Sequence, residues 1–199
     1  MLKQIKDYID KLSTDKIPQK RLEELALFAE QLKNQLQKGS GVNINFICTH
    51  NSRRSQFAQV WAQTMAYHYG VNASCYSGGL EVTACNPRTI TALESNGFDI
   101  SKTGDENPEY AVRFSEITEP VKLFSKLYSD DSNPASFIAV MTCDHADQNC
   151  PFIPNALLRI PLTYVDPKRS DDTDSESQVY LETSYEIASQ MKYVFSLIQ

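Results

Sequence analysis

Between residues 42 and 98 the hydrophobic pattern twice changes from strand-like to helical, and that rhythm restricts the fold more than any other feature of the chain. VNINFIC (42–48) reads as a buried strand, and SQFAQVWAQTMAYHYG (55–70) follows with helical spacing and a closing glycine. ASCYSGG (73–79) is a second strand, and NPRTITALESNGF (86–98) a second helix with Pro87 in its first turn. SFIAVMTC (136–143) and ALLRIPLTY (156–164) supply two more strands, and residues 174–198 form a long amphipathic closing helix. Strands alternating with helices predict an α/β fold, a parallel sheet with helices on both faces. One stretch departs from the rhythm. EYAVRFSE (109–116) and PVKLFSKLY (120–128) alternate apolar and polar residues, which predicts a β-hairpin or other extended excursion within residues 105–135.

Upstream, Leu2, Ile5, Ile9 and Leu12 recur at helical spacing until Pro18 interrupts. Leu22, Leu25, Phe28, Ala29, Leu32 and Leu36 resume the period, and Gly39-Ser-Gly41 stops it. Residues 1–41 are therefore expected to be a two-helix extension with a linker, and residues 42–199 the main domain. The apolar stripe predicts packing on that domain or on a second copy, which leaves a homodimer through these helices open. A net charge of −6 argues against a general nucleic-acid binder. No apolar run reaches bilayer length and no secretory leader is evident, so a cytoplasmic protein without membrane contact is expected. In that compartment the 5 cysteines are free thiols, kept for reactivity or packing.

The junction between the first strand and the first main helix is Cys48-Thr49-His50-Asn51-Ser52-Arg53-Arg54-Ser55. A loop leaving a strand and entering a helix N-terminus turns its N–H groups inward, and the helix dipole behind them makes an anion site. The same field favours negative charge on the Cys48 sulfur, which then lies as a nucleophile at the floor of an oxyanion cradle. Arg54 supplies a planar fork for two oxygens. Ser55 offers its hydroxyl to the sulfur and Asn51 an amide to brace the loop. A buried cysteine and a solvated arginine would be the bland alternative, but strand, helix, Asn51 and Ser55 all agree with the first view.

CTHNSRRS resembles the phosphate-binding loop of low-molecular-weight protein tyrosine phosphatases, and more closely that of thioredoxin-coupled arsenate reductases on the same fold. The likeness runs on through SQFAQVWA, YSGGLE and NPRTITALESNGFDIS, over residues 42–198 apart from the excursion. It implies a four-stranded parallel sheet with the loop at its topological switch point. His50 stands where these relatives usually have glycine, and Arg53 where many have a cysteine, so positive charge is added beside the anion site. The implied ligand is a small oxyanion, arsenate or phosphate, or a phosphorylated substrate, with residues 49–55 binding it. No bound cofactor or metal is implied; a thioredoxin or similar thiol reductant supplies electrons.

Asp166-Pro167 follows the fourth strand. Expelling an oxygen from a phosphate-like centre needs a proton donor opposite the nucleophile, and a loop carboxylic acid suits that role; an ordinary Asp-Pro turn is the alternative. The family resemblance assigns the Asp the acid role. The relatives' aromatics after this Asp-Pro are replaced here by Lys168, Arg169, Ser170 and Asp171, which argues against phosphotyrosine.

Cys143-DHADQN-Cys150 follows the third strand and should lie on the face of Cys48. Zinc binding fits poorly, because structural pairs are closer spaced and no second pair exists. Passive packing is opposed by the polar DHADQN loop, which predicts incomplete burial. A thiol relay is the third option, in which a neighbouring thiolate attacks the modified Cys48 sulfur and a third carries the disulfide outward. The arsenate reductases resembled here carry a pair with this spacing in this place. A phosphatase, or a silent oxyanion-binding module, remain the alternatives. Cys75 and Cys85 read as core residues, His68 as a satisfied helix residue and His145 as an accessory of its loop.

Overall fold

The computed structural model describes all residues except 40, 150, 151 and 199. Four parallel strands form the main sheet: β1 (Val42–Cys48), β2 (Ala73–Gly79), β6 (Phe137–Met141) and β7 (Ala156–Pro161), in the order β2-β1-β6-β7. Ile44, Phe46 and Ile47 of β1 and all of β6 are buried, as central strands covered on both faces must be. The chain leaves β1 toward β2 on one side and later returns to β6 on the other. A crevice therefore opens between the carboxyl ends of β1 and β6, where ligands bind in such sheets.

Helix α3 (Arg54–His68) crosses from β1 to β2 and is buried along most of its length between the sheet and the closing helix α6 (Glu176–Ser196). Trp61 marks this layer: its indole N–H donates to Ser184 Oγ at 2.9 Å, and its ring meets Phe98 edge-on at 4.9 Å. Helix α4 (Pro87–Ser95) starts on an Asn86 cap whose side chain accepts from the Arg88 N–H at 2.9 Å. It ends earlier than its apolar period suggests, because Gly97 turns left-handed (φ +100°) and swings Phe98 onto Trp61.

The excursion is larger than the expected hairpin. β4 (Glu109–Arg113) and β5 (Val121–Leu123) do pair antiparallel, but β3 (Asp99–Thr103) adds a third strand on the other edge of β4. β3 is DISKT, mostly exposed and without alternation, so nothing in its own residues announces a strand. Register against β4 makes it one. The polar stretch after β6 is also a correction: residues Asp144–Asn149 form a short helix, α5, where a loop was expected.

The N-terminal residues pack on this chain. α1 (Lys3–Lys11) buries Ile5 and Ile9 completely, and α2 (Gln19–Leu36) buries Leu25, Phe28 and Leu32. Tyr8 stacks on Trp61 at 5.3 Å. Lys192 of α6 caps α1 by donating from Nζ to the carbonyls of Ile9 and Leu12, both at 2.8 Å, where the helix dipole favours a cation. Among the described residues no helix is long and apolar enough to cross a membrane.

Candidate active site

Cys48 closes β1 and Arg54 opens α3, so the intervening loop is bent around the sulfur. The thiol is buried, and two donors converge on it. The Asn51 N–H reaches Sγ at 3.1 Å, and Ser55 Oγ stands 3.1 Å away. The Asn51 amide fixes the direction of the second bond. Its Oδ1 accepts the Lys126 N–H at 3.1 Å, which turns Nδ2 toward Ser55 Oγ at 2.9 Å. With that bond accepted, the one hydroxyl proton of Ser55 is free to point at sulfur. Both groups can donate to the sulfur.

The loop is held in a conformation that residues rarely adopt. Asn51 has φ +48°, in the left-handed region that Asn tolerates better than most side chains. Its carbonyl accepts from Gln56 Nε2 at 2.7 Å. The Ser52 hydroxyl donates to Ala84 O at 2.7 Å, and Ser52 O accepts the Asn86 N–H at 3.0 Å. His50 O accepts from Ser125 Oγ at 2.8 Å, while the exposed His50 ring pairs with Glu81 at 3.4 Å. Gly79 lies against the loop so closely that a Cβ there would meet Thr49 O at 2.8 Å and Asn51 N at 2.9 Å. Any side chain at 79 would push the cradle out of shape.

The two arginines diverge. Arg54 Nη1 donates to Tyr164 O at 3.1 Å and Nη2 to Asp166 Oδ2 at 2.5 Å, so the acid candidate stands at the rim of the cradle. Asp166 Oδ1 also accepts the Lys168 N–H at 3.0 Å, capping the 3₁₀ turn Pro167–Ser170. Arg53 turns toward α6: Nε donates to the Tyr180 hydroxyl at 2.7 Å and Nη2 to Asp171 Oδ2 at 3.0 Å, and Tyr180 donates to Asp171 Oδ1 at 2.7 Å. Its charge is matched by Asp171; burial pulls its proton affinity down, but the Tyr180 bond and the charges of Tyr180, Asp166 and Asp171 together hold it above the ordinary arginine range. Sequence alone suggested a cation added beside the anion; the side chain instead braces the loop from behind.

Cys143 lies just beyond β6, next to β1 in the sheet, and is buried together with Cys48, Ile47, Met141 and Ala146. Incomplete burial was expected for it, and the α5 helix explains the difference: folding into a helical turn leaves Asp144, His145 and Gln148 exposed and the thiol beneath. Its Sγ accepts the Ala146 N–H at 3.4 Å and is 3.5 Å from Thr49 Oγ1, the residue adjoining Cys48. Thr49 Oγ1 is also 3.2 Å from His145 Nδ1. The second member of the pair, Cys150, lies outside the described residues. Cys75 and Cys85 are core thiols as expected; burial pushes Cys85 up to about 12 and Cys75 higher still. His68 ends α3 edge-on to Tyr69, and burial lowers its proton affinity.

Sequence reasoning missed the supports that come from far along the chain: Ser125 behind His50, Lys126 behind Asn51, Asp171 and Tyr180 behind Arg53. The Asn51 bond goes to a backbone N–H, which leaves no residue-type signal at all. Among the described residues no group of three or more His, Cys, Asp or Glu side chains is placed to hold a metal ion.

The family model for low molecular weight phosphotyrosine protein phosphatase matches residues 43–109. An arsenate reductase of Bacillus subtilis is 30% identical over 139 residues, 70% of this chain and 84% of the relative. Arsenate reductase 2 of Staphylococcus epidermidis is 32% identical over 124 residues, covering 62% and 77% of the two chains. A solved low molecular weight protein tyrosine phosphatase from T. tengcongensis shares the fold, with a TM-score of 0.54 at 12% identity over 79% of this chain and 99% of that one.

Proposed function

Because this chain belongs to the low-molecular-weight phosphotyrosine protein phosphatase superfamily, as do the arsenate reductases it matches, we propose that it is an arsenate reductase working through a thiol relay. Enzymes of either type share the first step. The Cys48 thiolate attacks the central atom of an oxyanion held by the loop N–H groups and Arg54, and Asp166 protonates the departing oxygen. With arsenate, a sulfur–arsenic bond forms and water leaves.

The two readings part at the second step. The Cys143 thiolate attacks Cys48 Sγ, forming a disulfide. The electron pair of the broken sulfur–arsenic bond stays on arsenic, which passes from As(V) to As(III) and departs as arsenite. Cys150 then attacks Cys143 Sγ, releasing the Cys48 thiolate and leaving a Cys143–Cys150 disulfide for a dithiol reductant of the thioredoxin type. The observation that carries this reading is the contact of Cys143 Sγ with Thr49 Oγ1 at 3.5 Å, which brings a second thiol to the residue beside the nucleophile. Phosphate ester hydrolysis has no use for it, because water alone breaks a phosphoenzyme.

A phosphomonoester hydrolase is the second reading, supported by Cys48, Arg54 and Asp166 standing together without need of the pair. A silent oxyanion-binding module fits less well, since binding alone would need neither Cys48 nor Asp166. The test measures free thiols and aryl phosphate hydrolysis in parallel. Arsenate should consume two thiols per turn in the wild type and leave a Cys143–Cys150 disulfide in peptide maps. Cys48→Ser should lose both activities, whereas Cys143→Ser and Cys150→Ser should lose only arsenate turnover. If arsenate leaves every thiol reduced in the wild type, the hydrolase reading takes first place.

A further inference from the structure

Arg21 sits on α2, outside the stretch matched by the phosphatase family model, and no step above uses it. Its guanidinium is nevertheless occupied on every side. Nη2 donates to Thr163 O, Nε to Gln190 Oε1 of α6, and Nη1 to Glu24 Oε2, each at 2.8 Å. The guanidinium also covers the Tyr164 ring, 5.0 Å from its centroid. The segment held in this way leads straight into the site. Tyr164 O is the acceptor for Arg54 Nη1, and Asp166, two residues on, is the acceptor for Nη2. Leu162 and Tyr164 are the last residues here whose N–H groups bond to the β6 side, at Met141 O and Thr142 O. Asp166 therefore projects from the end of the ladder, and the grip on residues 163 and 164 sets where it projects from.

We propose that Arg21 is a positioning residue for the acid: the N-terminal extension reaches across α6 and fixes the segment that aims Asp166 into the cradle. The proposal rests on the reading of Asp166 as general acid. Its physical basis is that a proton donor works only at hydrogen-bond reach of its target, and a displacement of about 1 Å can cost on the order of 10²-fold in rate. A flat fork with donors on three edges is needed to hold α2, α6 and the 163–164 backbone at once. Lysine, a point donor, can satisfy part of this set.

The test uses the full-length enzyme and the cycle of Arg21→Ala, Asp166→Asn and the double variant, with arsenate turnover and a series of aryl phosphates as readouts. Arg21→Ala should lower kcat about 10- to 100-fold on arsenate and on esters of weakly acidic phenols, and less on good leaving groups. Inhibition by inorganic phosphate, which reports the cradle itself, should be unchanged. Arg21→Lys should recover part of the loss, and Arg21→Ala should add nothing once Asp166 is Asn. A loss that is equal across leaving groups, or that persists undiminished in the Asp166→Asn background, would overturn the positioning role and leave Arg21 as packing. If Asp166→Asn is itself indifferent to the leaving group, the acid assignment falls first and the proposal with it.

Discussion

A buried ammonium tells how tightly single residues of the excursion are bound into the catalytic loop. Lys126 is 4% exposed, its N–H braces Asn51, and its Nζ lies 4.3 Å from the centroid of the Phe124 ring. Burial lowers its pKa to about 8, with the nearby charges of Asp130 and Glu109 opposing the shift. The unfolded chain therefore binds more protons than the folded one between about 8 and the ordinary lysine value of 10.5. In that window stability gained from this group rises with pH, and below it the charged, buried amine weakens the fold. Lys126→Met keeps the backbone bond and most of the stem while removing the charge. The variant should be more stable than the wild type near pH 7.5, and its advantage should shrink as pH rises through 8 to 9. Urea midpoints at several pH values check this; an advantage that grows with pH would contradict the assignment. Cys85, pushed up to about 12 by burial with the Lys126 charge opposing, acts with the opposite sign above pH 9, so the comparison is read between pH 7.5 and 9.

At the scale of elements, α5 is the piece whose form conflicts with the proposed chemistry unless it changes. Its six residues separate Cys143 from Cys150, and a helical path over those seven steps would rise about 10 Å at 1.5 Å per residue. A disulfide needs Cα atoms within roughly 7 Å, so closing the pair does not fit a helical path between them and is expected to unwind α5. Oxidation by arsenate should therefore strip amide-exchange protection from residues 147–149. Cys150→Ser, halted at a Cys48–Cys143 disulfide, should retain it; full protection in the oxidised wild type would mean the pair does not close. The same element shows what a sequence withholds. The buried strands β1, β2 and β6 and the helix α3 are legible because apolar runs and periods are local, and the cysteine–arginine loop is legible because its supports Asn51 and Ser55 lie within it. β3 and α5 are not. The first is a strand only through register with β4, and the second is made of polar residues whose spacing carries no apolar signal. Cys143 was misjudged for the same reason, since burial depended on a helix that composition did not announce.

For the whole molecule, the largest consequence lies in where the N-terminal helices are anchored. Ile9 is fully buried, and Lys192 of α6 ties the end of its helix. Ile9→Ala should cost about 2–5 kcal/mol by the lost transfer energy and the cavity left. Turnover per folded molecule should be unchanged, because the site lies at the other end of the sheet strands. A denaturation curve paired with an active-fraction assay checks both halves, and a stable but inactive variant would show that α1 shapes the cradle. α1 and α2 are made more than 140 residues before Tyr185, Gln190 and Lys192, which cover and cap them. During synthesis the faces of Ile5, Ile9, Leu25 and Phe28 must wait, open to water and to other chains, until α6 emerges. The N-terminal helices are thus closed by a helix made long after them, and a ribosome that stalls shortly before residue 180 would leave a sticky nascent chain rather than a smaller folded one.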